Sequence, residues 1–289
     1  MMVSNSNGKL ILLSCLVFCF FIWMPLHTSA DESLGIYGLK GYAYTYSPIP
    51  VNGLYVQSGF LSSQFNDKYE NGDGSVNVVP LSFTYGDGRL WELAVATHYE
   101  MWENTDLDVD ENGIGDVFVG MKLRALGLQK DFPFDLTLEP YALIATGNRD
   151  VGIGDIYYFN PSDEDDNSFG LNILIGKQLA RVYLSVNLGV NHVSTDLYWI
   201  DDLSLLVGAA AEYQISETLT SYVEFLHSEN KINLSCDSCQ EVAIDEDYQF
   251  LGAGIVWIKN KWGIKLHLGT GLTDLSPSFQ GMALLNRNF

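Results

Sequence analysis

The stretch Asp108–Asp116, "DVDENGIGD", sets side-chain oxygens at alternate positions ahead of a glycine. Asp108, Asp110 and Asn112 would offer oxygens to Ca²⁺, Gly113 the sharp turn, and Asp116 a further ligand, directly or through water. The twelfth position of such a loop calls for a bidentate Glu, and Val119 stands there. The residues read as a partial calcium site, with a solvated acidic loop as the competing reading. "NHVSTD" puts His192 two positions before Ser194, a base beside a hydroxyl nucleophile on one face of a strand. "CDSC" places Cys236 and Cys239 where a local disulfide forms in an oxidising compartment. Neither a haem attachment nor a zinc site fits, because Gln240 follows the second Cys and no further ligand pair is near.

Another set of reactive side chains is spread along the whole chain. Glu92, His98, Glu100, Lys122, Arg124, Asp135, Glu139, Tyr141, Glu212, Glu224, Lys265 and His267 each interrupt an otherwise apolar stretch. Charges of both signs facing one another across a narrow space create a transverse field and a constriction. Whether they can do so depends on the elements that carry them.

Those elements alternate with period two. In "DVFVGMKLRAL", Val117, Val119, Met121, Leu123 and Ala125 fall on one face, with Phe118, Gly120, Lys122 and Arg124 on the other. "FDLTLEPYALIAT", "LSLLVGAAAEYQ" and "WGIKLHLGTGL" repeat the pattern. Strict alternation argues for strands with one apolar face. The strands run to about 10–13 residues against five or six in soluble sheets, matching a tilted membrane-crossing strand. A dry core would reject Lys, Arg and Glu in mid-strand, and a wet lumen accepts them. About twelve such strands are expected, at 55–65, 76–85, 89–102, 116–126, 134–146, 168–179, 182–194, 203–214, 219–229, 247–258, 262–272 and 278–289. Short links alternate with long ones, the long ones at 66–75, 103–115, 147–167 and 230–246, the layout of an outer-membrane barrel. The fold class expected is therefore all-β, a transmembrane antiparallel up-and-down β-barrel. Trp91, Tyr99, Trp102, Tyr213, Trp257 and Trp262 lie near strand ends and suit aromatic girdles.

The first thirty residues of the 289-residue chain hold Lys9, an apolar run and "HTSA", a signal peptide with cleavage expected after Ala30. Residues 31–54, with "SPIP", form an irregular segment in the periplasm or the lumen, ahead of a barrel over 55–289. Hydrophobic residues make up 47% of the chain, yet the net charge is −21, which excludes binding nucleic acid through its phosphates. The acids cluster in the long links, as in "PSDEDDNS".

"GIGDVFVGMKLRAL" and "FDLTLEPYALIATGNRD" together resemble the MetA-pathway of phenol degradation family of outer-membrane transporters. The resemblance rests on Gly113, Gly115, Asp116, Lys122, Arg124 and Gly147, is strongest over 113–150, and extends as layout across 55–289. Ala145-Thr146-Gly147 stands where that family has Pro-Thr-Gly, and "ALLNRNF" ends on the aromatic Phe289, similar to the signal read by the barrel-assembly machinery, with Arg287 where an aromatic or apolar residue is usual. The resemblance implies uptake of aromatic compounds across a Gram-negative outer membrane. His192 and Ser194 in turn resemble the His-x-Ser of outer-membrane phospholipase A, but Thr195 and Asp196 break the continuation and the next strand has Ser204 and no Asn.

The sequence reading is a passive channel or transporter for small molecules, aromatic or hydrophobic compounds among them, lined by Glu92, Glu100, Lys122, Arg124, Glu139, Glu212, Glu224, Lys265 and His267. No enzyme activity, no catalytic residue and no cofactor beyond Ca²⁺ are expected. The expected partners are outer-membrane lipid, the barrel-assembly machinery and a small-molecule solute. The alternatives are a structural or receptor barrel whose acidic outer loops bind metal or a partner, and a phospholipase-like hydrolase using His192 and Ser194.

Overall fold

The computed structural model describes residues 33–65, 74–104, 109–126, 133–147, 167–193, 203–229, 247–273 and 276–289. The signal segment, Asp108, Ser194, Cys236, Cys239 and the acidic "PSDEDDNS" lie outside the described residues.

Alternation along the sequence becomes long antiparallel strands: β1 (Asn52–Phe65), β2 (Gly74–Asp87), β3 (Trp91–Asn104), β4 (Val109–Ile114), β5 (Val117–Leu126), β6 (Asp135–Ile144), β7 (Ser168–Leu179), β8 (Val182–Val193), β9 (Leu203–Gln214), β10 (Leu219–Ser228), β11 (Tyr248–Lys259), β12 (Trp262–Gly271) and β13 (Phe279–Asn288). Consecutive strands pair except β4 and β5, which both pair β3, and β1 also pairs β13, so the sheet closes on itself. β5 and β4 follow one another along the same edge of β3, which gives a closed barrel of 12 staves. Closure removes the sheet edges that would otherwise leave unpaired N–H and C=O groups in hydrocarbon. Residues 109–114, expected as part of a long link, instead extend the β3–β5 hairpin beyond the point where β5 meets β6 at Val117–Ile144.

The tight turns follow from local chemistry. Ala180 and Asn260 take positive φ (54° and 57°) in the connections after β7 and β11, as the hairpin twist requires. Between β2 and β3, Asp87 accepts the backbone N–H groups of Arg89, Leu90 and Trp91 at 2.9, 2.6 and 3.0 Å.

The two faces differ as the alternation dictates. Leu93, Val95, Leu123, Leu138, Val186, Leu188, Leu251, Ile255, Leu266 and Leu268 point outward and are exposed, an apolar belt. Tyr85, Tyr213 and Trp257 are exposed close to the short-turn ends of their strands, and Arg287 lies between the rings of Trp262 and Phe289 at 5.0 and 4.9 Å. Trp102 departs from the girdle expected for it: it shares the inward parity of Glu92 and Glu100 and packs against the interior cluster.

The core sits inside the barrel. Residues 33–51 lie within it, and Ile36, Tyr37, Leu39, Ala43, Tyr44 and Tyr46 cluster with wall residues such as Val78, Phe118, Leu174, Leu206, Phe250 and Met282. This internal segment bridges to itself at Leu34–Lys40 and Gly41–Tyr46.

Candidate functional site: a charged lumen filled by a peptide

Each lumen charge stands on a strand whose parity turns it inward. Glu92 and Glu100 share β3; Lys122 and Arg124 share β5; Glu139 is on β6, Glu212 on β9, Glu224 on β10, and Lys265 and His267 on β12. Glu92, Glu100, Lys122, Glu139, Glu224, Lys265 and His267 are all buried; Arg124 and Glu212 are partly so. The wet lumen that their polarity implied is, at this depth, occupied by residues 33–51.

The wall charges read the backbone of that segment. Glu224 accepts three successive N–H groups: Ala43 through Oε1 at 3.1 Å, and Tyr44 and Thr45 through Oε2 at 3.1 and 2.9 Å. Glu92 accepts the N–H groups of Lys40 and Val51 at 2.7 and 2.6 Å. The lysines take the carbonyls. Lys265 Nζ donates to Leu34 O at 2.5 Å, Gly41 O at 2.9 Å, and Tyr42 O, and Lys122 Nζ donates to Lys40 O at 2.5 Å while pairing with Glu92 at 3.2 Å. Acceptor-only carboxylates meet donors and donor-only ammonium groups meet acceptors, so the turn-rich backbone inside the barrel finds partners without a sheet of its own.

Neutral wall groups complete the contacts. Gln57, Thr84 and Thr137 donate to the carbonyls of Gly35, Gly38 and Pro48 at 2.7, 2.8 and 2.6 Å. Tyr44 OH donates to Gln280 Oε1 at 2.5 Å, and Gln280 is held by Ser63 at 2.8 Å. Other wall groups lie close together: Arg124 pairs with Asp135 of the next strand, His98 Nε2 lies 3.3 Å from Glu100 two residues along β3, and His267 Nδ1 lies 3.6 Å from Glu224. Asn172 donates to Glu139 Oε2 at 3.2 Å, while Glu139 Oε1 has no hydrogen-bond partner among the described residues.

Two aromatic stacks run along the inner wall. Tyr248, Phe250, His267 and Tyr222 follow one another with ring centroids 6.4, 5.9 and 5.7 Å apart, and Tyr222 OH bonds with His267 Nδ1 at 3.1 Å. Phe118 and Tyr141 stack at 5.9 Å on another sector. The segment's own rings cap both: Tyr44 meets Phe250 edge-on at 5.7 Å, Tyr42 leans on Tyr222 at 5.2 Å, and Tyr37 stacks on Phe118 at 4.8 Å. Sequence reading put Tyr141 and His267 among the inward residues and Phe118 on the face of Lys122, but missed Tyr222, Tyr248 and Phe250, although Tyr222 and Phe250 have the inward parity of Glu224, and missed the rings of the internal segment, although "GYAYTYSP" repeats Tyr at alternate positions.

The other candidates are placed apart from the lumen. Asp116 Oδ1 accepts the N–H groups of Thr146 and Gly147 at 3.0 and 2.9 Å, and Asn112 accepts the phenol proton of Tyr99. Asp110 is exposed on β4. Among the described residues, no group of three or more His, Cys, Asp and Glu side chains is arranged to hold a metal ion. His192 is exposed on the outer face with Val186, Leu188 and Val190. A concavity of about 970 Å³ lies on the outer side of β9–β13 and β1, where Ala211, Ala253, Gly281 and Ala283 stand among Phe60, Tyr213 and Ile255, and its lining also reaches Glu212, Tyr222 and His267 of the inward parity.

The closed antiparallel barrel with an apolar exterior and a polar interior defines the chain as a β-barrel of the outer-membrane class. Its fold is similar to that of an outer membrane channel from Pseudomonas putida F1, at 15% identity and a TM-score of 0.61, over 86% of this chain and 98% of that one. It is also similar to the translocator domain of the autotransporter NalP from Neisseria meningitidis, at 11% identity and a TM-score of 0.50, over 82% and 89%. No protein-family profile matches the chain, so what the resemblance to the phenol-degradation family retains is the coarser outer-membrane barrel. No curated protein matches it either.

The expectation that the chain is not an enzyme is corrected by the same comparison. LpxR from Salmonella typhimurium, a lipid A deacylase, also superposes, at 11% identity and a TM-score of 0.48 over 80% of this chain. A likeness of fold at such low identity decides neither for nor against an enzyme, so the exclusion does not stand.

Proposed function

We propose that this protein is a channel of the Gram-negative outer membrane for passive passage of small molecules, aromatic and hydrophobic compounds among them. The observation that carries the reading is the contrast between the two faces of one closed sheet. An apolar belt faces outward, while mixed charges and stacked aromatic rings face the lumen. Hydrocarbon accepts the first and a solute path needs the second. The aromatic stack supports the solute preference: Tyr248, Phe250, His267 and Tyr222 span the wall from the start of β11 towards the start of β10, offering successive ring faces to an aromatic solute. Outer-membrane lipid then surrounds the barrel, and the barrel-assembly machinery inserts it.

Purified protein in planar bilayers, with uptake of phenol and glycerol into proteoliposomes measured in parallel, tests the reading. Discrete ion conductance with faster phenol entry is expected. Bilayers that remain silent, and liposomes no leakier than protein-free ones under conditions that release the internal segment, would remove it.

A further inference from the structure

The internal segment has no strand of its own in the barrel. β1 begins at Asn52, and the β1–β13 and β2–β3 seams close the wall without residues 33–51. The segment bridges only to itself, and its polar ties to the wall described above run from wall side chains to its backbone, with Tyr44–Gln280 a tie from its own side chain. It joins the barrel at Val51–Asn52, next to Gly53, the second residue of β1, which is paired with Gly86 and whose φ of +104° is open to glycine and strained for other residues. A Cβ there would stand 3.0 Å from Asn288 Oδ1.

The chemistry of the wall suits departure as well as residence. A permanent core is cheapest when apolar, because buried charges need partners of near-ideal geometry. Here Glu92 already pairs with Lys122 at 3.2 Å, and His267 Nδ1 lies 3.6 Å from Glu224, all on the wall. When the segment leaves, Glu92 keeps Lys122, Glu224 exchanges three N–H groups for water, and Lys265 exchanges three carbonyls for solvent. The same side chains therefore satisfy a filled lumen and a hydrated one.

We propose that residues 33–51 are a tethered plug, an internal peptide ligand of the lumen that swings out about its junction with β1 at Val51–Asn52 to open the channel. The proposal rests on the channel reading for what opening achieves, but the motion itself can be observed separately. Backbone recognition by Glu224, Glu92 and Lys265 holds the plug in, and Tyr37, Tyr42 and Tyr44 occupy the aromatic wall sites that a solute meets once it has left.

The full chain carries its own test. A Cβ built on Gly208 of β9 lies 3.4 Å from Thr45 Cγ2, within reach of a disulfide between the two positions. The experiment uses Thr45→Cys and Gly208→Cys in a chain whose Cys236 and Cys239 are changed to Ser. Bilayer currents are recorded oxidised and reduced, with Glu224→Gln added in a second version. A membrane-impermeant maleimide reports whether the thiol of the Thr45→Cys single variant reaches water. Loss of current on oxidation, its return on reduction, and greater open time with Glu224→Gln are expected. Equal currents in both redox states would overturn the plug and leave the channel standing. Silence in both states with maleimide labelling would keep the moving plug and remove the channel; silence without labelling would remove both.

Discussion

Glu224 and Ala43 stand 181 positions apart in the chain, and the Ala43 N–H donates to Glu224 Oε1 at 3.1 Å inside the barrel. Tyr44 and Thr45 donate to the other oxygen of the same carboxylate. One wall side chain thus fixes three consecutive peptide groups, an anion seated in a small nest of N–H donors.

That arrangement predicts the effect of removing the carboxylate. Glu224→Ala leaves three buried N–H groups unpaired and takes a neighbour from Lys265, and hydrogen bonds to charged groups contribute about 1.5–3 kcal/mol each. Denaturant unfolding of the detergent-solubilised protein is expected to show a loss of at least about 2 kcal/mol. Glu224→Gln keeps one acceptor oxygen and is expected to lose less. Equal losses would mean that the charge, rather than acceptor geometry, holds the segment.

The balance of charge inside the barrel sets ion preference. Glu92, Glu100, Asp135, Glu139, Glu212 and Glu224 face inward on the wall against Lys122, Arg124 and Lys265, so an open lumen is net acidic and favours cations. A reversal potential of cation-selective sign is expected in a potassium chloride gradient. Glu139→Gln, which removes a carboxylate whose Oε1 has no hydrogen-bond partner among the described residues, is expected to shift it towards zero. An anion-selective potential would contradict the inward assignment.

The aromatic stack predicts a solute-specific defect. Phe250→Ala removes the ring between Tyr248 and His267. Stacked aromatic pairs contribute about 0.5–1.5 kcal/mol beyond area burial, so phenol entry is expected to slow roughly two- to tenfold relative to glycerol. A parallel fall for both solutes would point to a change in pore size.

The turn after β2 has a pH signature. Slight burial raises the pKa of Asp87, but the N–H groups of Trp91, Arg89 and Leu90 outweigh it and hold the carboxyl below the ordinary carboxylate range. A group depressed in the folded state stabilises fully above its unfolded pKa, and the contribution is lost as pH falls through the lower folded value. Asp87→Ala is therefore expected to lower the melting temperature at neutral pH, with the difference from wild type shrinking in acid. A difference independent of pH would show that the ionised form has no special role.

Much of the barrel can be read in the sequence because strand parity is local. Val119 and Leu123 alternate with Phe118 and Lys122 within a few residues, and that alternation decides which side chains face outward wherever the strand lies. Mid-strand Glu92, Lys122, Glu139 and Lys265 mark the inner face on the same ground. Asp116 shows where local reading stops. Its spacing matches a calcium ligand, yet its carboxylate is committed to the backbone of Thr146 and Gly147, residues that meet it only because β5 pairs with β6. Trp102 is a second instance: its place near a strand end fits a girdle, and its parity sends it inward.

The sequence by itself determined a closed, membrane-facing sheet and the identity of the charges turned to its interior, since period and charge are properties of neighbouring residues. Only the tertiary structure decided what those charges face. Glu224 meets Ala43, and Lys265 meets Leu34 across 231 positions, contacts set by where the chain between them returns. A buried carboxylate and one in water carry the same letter; the peptide that seals the lumen separates them.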